Sequence, residues 1–372
     1  MSKIKVVMLG PSLYEQGGMG TVESLIVKQT SKKVDFQHIC THEEGTILHR
    51  INVYAKALIQ FLGKLISNDI DIVHMHVSEK GSVLRKVLLV LLSLLFRKPV
   101  IMHTHGCEFH LFYDSLPAYA KRWVSAIFQR CAYVITLSES WNKYYISTCN
   151  LATYRVGILY NPVELPVEVP LRVGVEKIRF VFLGRIGERK GAFDLIRAFA
   201  NLSPEERRRT ELTLAGDGEV EQARDLVKTL NLQDVIRIPG WINTQERDQL
   251  LRQSDVFILP SYNEGLPVAM LEAMAWELPV ITTPVGGIPE IVTHQKHGIL
   301  VNPGNIEQIT KAMQILIKDE SLRLAMGKSA RQQVAPLSVQ NYHNTLLTIY
   351  QSLIAGRGNY SGNNPSPTIS NL

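Results

Sequence analysis

Four side chains in the second half of the sequence have the types and spacing to handle a phosphate and a polyol. Arg185 and Lys190 lie in the glycine-rich stretch Gly184-Arg-Ile-Gly-Glu-Arg-Lys190-Gly191. A guanidinium offers a planar fork of donors and an ammonium a mobile point charge. Together they suit the negative charge that grows on a diphosphate as it leaves. Glu264 and Glu272 lie in Ser261-Tyr-Asn-Glu264-Gly-Leu-Pro-Val-Ala-Met-Leu-Glu272. Glu264 precedes a helical pattern, where it can accept from sugar hydroxyls or simply serve as a helix N-terminal charge. Glu272 sits inside an apolar helical stretch, where a carboxylate is costly unless it is paired or faces a polar ligand. A ribose diol and an internal salt bridge are its two readings. Taken alone, Arg185 and Lys190 read as solvated loop charges; the nearby pair of carboxylates argues otherwise.

These residues need a scaffold, and the hydrophobic pattern supplies one. Strand signals at 4–9, 70–76, 100–105 and 133–137 alternate with helical patterns at 53–66, 82–96 and 118–130. Asn161 to Pro170 holds three prolines and reads as a linker. The alternation then restarts, with strands at 178–183, 211–215, 235–238, 256–259 and 279–282. Helices fit at 192–201, 220–230, 245–253 and 267–276, and further helices at 306–317, 321–334 and 339–354. Such alternation predicts an α/β fold of parallel, doubly wound sheets. In those sheets ligands bind beyond the carboxyl ends of the strands. The polar, glycine-rich clusters fall there: Gly184–Gly191, Ala215-Gly-Asp217-Gly218, Pro239-Gly-Trp241 and Pro260–Glu272. Backbone N–H groups at the start of the 267–276 helix add an anion site. In the first half, Gln16-Gly17-Gly18-Met-Gly20 follows the first strand, and His74, His76 and His105 stand at strand ends. For all three histidines a satisfied structural role is the alternative.

Length and composition bound the rest. A chain of 372 residues with 45% hydrophobic and 20% charged residues predicts two globular domains, neither fibrous nor disordered. Cys40, Cys107, Cys131 and Cys149 lie far apart with no metal-like spacing, so reduced thiols are expected rather than a disulfide frame. The N-terminus reads as a buried strand and not a signal peptide, and the ten-residue apolar run from Val87 to Phe96 is too short to span a bilayer. The net charge of +6 lies wholly in residues 1–165, with 18 Lys and Arg against 12 Asp and Glu. No nucleic-acid module accompanies it, leaving a face for anionic lipid or a plain solvated surface.

The motifs resemble those of the retaining glycosyltransferases of group 1, or family 4. The most specific element is the Glu-x7-Glu segment, Glu264 to Glu272, continuing through Pro279-Val-Ile-Thr-Thr-Pro-Val-Gly-Gly-Ile-Pro-Glu-Ile-Val292. The resemblance implies a GT-B fold: two Rossmann-like domains facing a central cleft, with the C-terminal helix returning to the first. The expected division is 1–165 with 339–355, then 166–338, then a disordered tail over 356–372. It also implies site roles. His105, Arg185, Lys190 and Glu264 would be catalytic. Gly17, Gly18, Gly184, Asp217, Pro239, Trp241, Ile242, Gly265, Leu266 and Glu272 would hold the donor, with Glu272 on the ribose and the 239–242 stretch on the base. The implied activity is retaining transfer of a hexose from a nucleotide sugar to a saccharide or lipid-linked saccharide in exopolysaccharide or cell-surface glycan synthesis. No metal or other cofactor and no nucleic acid is expected, and the protein would be cytoplasmic, with peripheral contact to the inner face of the plasma membrane. The linker departs from the family's Asn-Gly-Val-Asp, reading Asn161-Pro-Val-Glu164. The rival readings are a nucleotide-sugar epimerase on the same fold and a non-catalytic sugar-nucleotide-binding subunit. A pyridoxal-phosphate phosphorylase fits poorly with so short a chain.

Overall fold

The computed structural model describes residues 3–14, 17–29 and 33–356. The tail expected over 356–372 lies, past Gly356, outside the described residues. The chain forms two compact units: one takes in the sequence to Pro162 together with the helix from Val339, and the other runs from Val163 to Ser338.

In the first unit six strands make one parallel sheet: β1 (Ile4–Pro11), β2 (Val34–His42), β3 (Ile72–Val77), β4 (Val100–Thr104), β5 (Tyr133–Thr136) and β6 (Val156–Ile158), in the order β2-β1-β3-β4-β5-β6. The central strands read as continuous apolar runs because helices cover both faces, as parallel sheets require. Alternate residues of β3 show the division. Val73, Met75 and Val77 join a core with Phe61, Leu89 and Phe128. His74 and His76 point the other way, toward the helix Gly18–Lys28 and the helix Val339–Ala355. Tyr350 of the latter meets His74 at 2.7 Å, so the last helix packs within the first unit.

The second unit holds β7 (Ile178–Leu183), β8 (Thr210–Ala215), β9 (Ile236–Gly240), β10 (Val256–Leu259), β11 (Val280–Thr282) and β12 (Gly298–Leu300), in the order β12-β11-β10-β7-β8-β9. This is the doubly wound order in which winding reverses between β7 and β10, and that reversal opens a crevice at the carboxyl ends of those two strands. The proline-rich stretch is no free linker. Val163 donates to the Leu337 carbonyl at 3.0 Å, Arg331 donates to the Pro166 carbonyl at 2.7 Å, and the buried Arg172 guanidinium donates to the Ser254 carbonyl at 2.6 Å. The chain therefore becomes part of the second unit from Val163 onward.

Three strands escape the sequence pattern: β2, β6 and β12. All three lie at sheet edges. In β2 half-exposed positions replace the unbroken apolar run, and β6 and β12 have only three residues each.

Candidate active site

The crevice of the second unit is assembled by glycines that let loops touch. Gly191 has φ +68°, and a Cβ there would meet the Pro260 carbonyl oxygen at 2.2 Å. Tyr262 N–H donates to the Arg189 carbonyl at 2.9 Å, and the Arg189 guanidinium donates to the Asn263 carbonyl at 3.1 Å. The loops after β7 and β10 are thereby locked together. Lys190 Nζ consequently reaches Glu264 Oε1 at 2.5 Å, and Ser261 Oγ donates to the same oxygen at 2.7 Å. Both charged side chains are largely withdrawn from water, at 16% and 6% exposure. Gly286, at φ +56°, lies against the Glu264 carbonyl from the loop after β11, and Gly287 N–H donates to the Gly265 carbonyl at 2.7 Å.

Arg185 extends from the β7 loop to Asp217 of the β8 loop, with Nη1 to Oδ2 at 2.9 Å, and stays mostly exposed. Ile186 and Gly218 form a bridge that ties these loops beyond the strand ends, while Gly184 carries φ +145° at the turn. Gly265 and Leu266 are buried at the approach to the helix Val268–Ala275, which starts one residue later than predicted because Pro267 caps it. Trp241 is half exposed, Pro239 is exposed and Ile242 is partly covered at the end of β9.

Glu272 carries an internal salt bridge. Its Oε1 accepts from Arg247 Nη1 at 2.5 Å, and the same guanidinium donates to Asp248 at 2.8 and 3.1 Å. Burial raises the Glu272 carboxyl to about 7; Arg247 opposes that, and the Asp248 and Glu164 carboxylates add to it. The Arg247 guanidinium is itself held above its ordinary pKa, because Glu272, Asp248 and Glu164 outweigh the opposing effect of its burial. Sequence reasoning missed Arg247. It lies one turn into a helix capped by Asn243 and Glu246 and has no sequence link to a carboxylate 25 residues away. Glu164, by contrast, was visible as the divergent linker position.

In the first unit His105 follows β4, its N–H donating to the Val77 carbonyl at 2.7 Å. Its Nε2 lies 2.9 Å from His76 Nδ1. That engages Nε2, one of its two ring nitrogens. Burial pushes His105 and His74 down to about 3, and His76 and His103 also well down, so these rings are neutral. His74, His76 and His103 bring ligand atoms within 4.8 Å of one another, a grouping absent from the sequence reading. Yet the rings stack, at 19° between His74 and His76 and 17° between His74 and His103. His74 Nε2 lies 3.3 Å from His103 Nδ1 and His74 Nδ1 lies 2.7 Å from the Tyr350 hydroxyl, so both His74 nitrogens are already engaged within the protein. Among the described residues this is the one such group of three.

Gly17 carries φ +141° with open space where a Cβ would be, and Gly18 begins the helix. Gln16 of the same turn lies outside the described residues. Cys131 and Cys149 are free thiols, and burial raises them to about 12 and 11.

Two Rossmann-like units, one carrying paired cations and carboxylates at its switch point, define the GT-B class of glycosyltransferases. Solved structures agree on that fold. The Anabaena protein HepE in complex with UDP-glucose matches with a TM-score of 0.75 at 18% identity, covering 94% of this chain and 100% of that one. A sucrose-phosphate synthase from Thermosynechococcus elongatus matches at 0.76 with 18% identity, covering 95% and 100%. The family models described as Glycosyltransferase Family 4 and Glycosyl transferases group 1 match residues 27–166 and 170–333. The chain belongs to the group 1, or family 4, glycosyltransferases. An uncharacterized glycosyltransferase of Methanocaldococcus jannaschii is 30% identical over 59% of this chain and 59% of its own length. The sulfoquinovosyl transferase of Arabidopsis thaliana is 32% identical over 47% of this chain and 34% of its own length. The match thus spans between a third and three fifths of these two relatives. The Escherichia coli UDP-Gal:alpha-D-GlcNAc-diphosphoundecaprenol alpha-1,3-galactosyltransferase is 25% identical over 75% of this chain and 74% of its length.

Proposed function

We propose that this glycosyltransferase moves a hexose from a nucleoside diphosphate to a saccharide or lipid-linked saccharide acceptor, without a metal and with retention of configuration, in exopolysaccharide or cell-surface glycan synthesis. The observation that carries this reading is the Lys190–Glu264 pair at the switch point, flanked by Arg185. The pair keeps a cation and a carboxylate together in a nearly dry crevice, where fixed charge acts most strongly on charge that develops in a reaction.

The donor C1–O bond breaks with its electron pair going to the β-phosphate oxygen, and Lys190 and Arg185 meet that charge. Glu264 accepts from hydroxyls of the transferred sugar, releasing Lys190 toward the phosphate. The acceptor oxygen bonds to C1 on the face the phosphate leaves, and its proton passes to the leaving phosphate oxygen. Glu272, freed from Arg247, accepts from the ribose diol, with Gly184, Asp217, Gly265 and Leu266 lining the donor and Pro239, Trp241 and Ile242 against the base. The same proposal gives the first unit's Gly17-Gly18 turn and His105 roles toward donor and sugar. Peripheral membrane contact of the first unit would accord with a lipid-linked acceptor.

The test is a product assay with UDP-glucose, UDP-galactose and GDP-mannose, each with and without a diphosphoundecaprenyl-linked sugar. Acceptor-dependent release of nucleoside diphosphate, with an α-linked product from an α-linked donor, is expected. Rapid epimerisation of a nucleotide sugar with no acceptor present would favour the rival reading and overturn this one.

A further inference from the structure

The helices Ile47–Ile66 and Gly81–Leu95 of the first unit sit side by side. They share one core through Phe61 and Leu65 on the first and Leu89 and Val90 on the second, and Tyr54 Oη donates to the Arg85 carbonyl at 2.7 Å between them. Each helix also carries a second apolar line that faces solvent. On the first it is Leu48, Ile51, Ile59, Leu62 and Ile66; on the second, Leu84, Leu88, Leu91 and Leu95. With exposed Ala55 filling the gap in the first line, the steps are three or four residues throughout, which is one face of a helix. Leu48 is 80% exposed, Leu84 70% and Leu95 75%. Single exposed leucines are ordinary, but two continuous stripes on neighbouring helices are not.

The charge carried by the two helices themselves has one sign. Residues 46–68 contain three Lys and Arg and no Asp or Glu; residues 80–107 contain five and none. Lys86 and Lys98 are buried, Lys64 and Arg85 are half-buried, and Arg50, Lys56, Lys80 and Arg97 are exposed. An apolar face edged by cations is complementary to a bilayer with anionic headgroups: the leucines and isoleucines enter the acyl boundary while the cations meet lipid phosphates. A second copy of the chain is a poorer occupant. Two-fold pairing of this face would set like charges against one another.

We propose that this two-helix face docks the first unit onto an anionic lipid bilayer. The proposal deepens the lipid-linked reading of the acceptor, and its test does not depend on turnover. The full chain is sedimented with phosphatidylcholine vesicles containing about one third phosphatidylglycerol, and with pure phosphatidylcholine vesicles. Partition onto the anionic vesicles is expected to be about tenfold stronger or more, from roughly 1 kcal/mol per cation near the surface. The double variants Ile59→Glu/Leu62→Glu and Leu88→Glu/Leu91→Glu are each expected to lose that partition. Their melting temperature and nucleoside-diphosphate affinity should stay unchanged, because none of the altered side chains belongs to the buried core and all lie in the unit without the proposed donor crevice. Three results would overturn the proposal: no partition onto either vesicle, equal partition of the variants and the unaltered chain, or a dimer in lipid-free solution that the same substitutions dissolve.

Discussion

At Glu272 two demands meet on one carboxylate. Its burial raises the carboxyl to about 7, so the folded protein holds this proton more tightly than the unfolded chain. The stabilising contribution of that proton is complete below the ordinary carboxylate value of 4.5 and is lost as pH rises through about 7. Accepting from a ribose diol requires the ionised form. Nucleoside-diphosphate affinity is therefore expected to rise as pH passes upward through 7. Calorimetric titration across that range tests this, and Glu272→Gln should flatten the part of the profile due to this group; an identical profile in the variant would remove Glu272 from the site. Lys190 makes a second prediction. Lys190→Ala removes the cation facing the leaving phosphate and strands a buried carboxylate, so kcat should fall by about 10²–10³. A variant that keeps near-normal kcat would assign the leaving group to other residues. Both acidic residues and both cations were legible in the sequence, because glycine-rich segments after strands advertise themselves. Arg247 and the packing of the four histidines were not, since they depend on which side chains the fold brings together.

The elements around the crevice owe their approach to glycine. At Gly191 the left-handed backbone coincides with a near-contact to Pro260. Gly191→Ala should therefore cost about 1–2 kcal/mol from backbone strain alone, plus the displacement of one loop by the other. Urea unfolding measures the loss, and donor affinity should fall with it because Lys190 is the adjacent residue. An unchanged unfolding midpoint would mean that the two loops are not held as described. Sheet interiors were readable because strands buried on both faces become unbroken apolar runs. Edge strands β2, β6 and β12 were not, since their pattern merges with that of loops. The helix Ile47–Ile66 also begins six residues before the sequence reading at 53. Its first turns carry the exposed Ile47, Leu48 and Ile51, and apolar residues facing solvent disturb the single-face periodicity by which helices are recognised.

Across the whole molecule, charge and chemistry are unevenly shared. The first unit carries the basic excess and the exposed apolar stripes; the second holds the phosphate-type cations and the paired carboxylates. If fixed cations replace a metal at the leaving group, excess EDTA should leave turnover unchanged in steady-state assays; a loss restored by magnesium would contradict the proposed leaving-group chemistry. The restart of strand–helix alternation after Pro170 made two domains legible, whereas the docking of residues 163–172 onto the second unit depended on Arg172 and Arg331, each bonding to carbonyls far away in sequence.

In the proposed reaction the crevice between β7 and β10 holds the diphosphate of a nucleotide sugar through Lys190 and Arg185. The most direct measurement is the melting temperature of the full chain against a panel of nucleoside diphosphates and nucleotide sugars, beside Lys190→Ala and Arg185→Ala. Ligand that binds only the folded state raises the melting temperature in proportion to its affinity. A selective rise with one base, reduced in both variants, is the predicted result. No rise with any nucleotide, or an undiminished rise in both variants, would contradict the account.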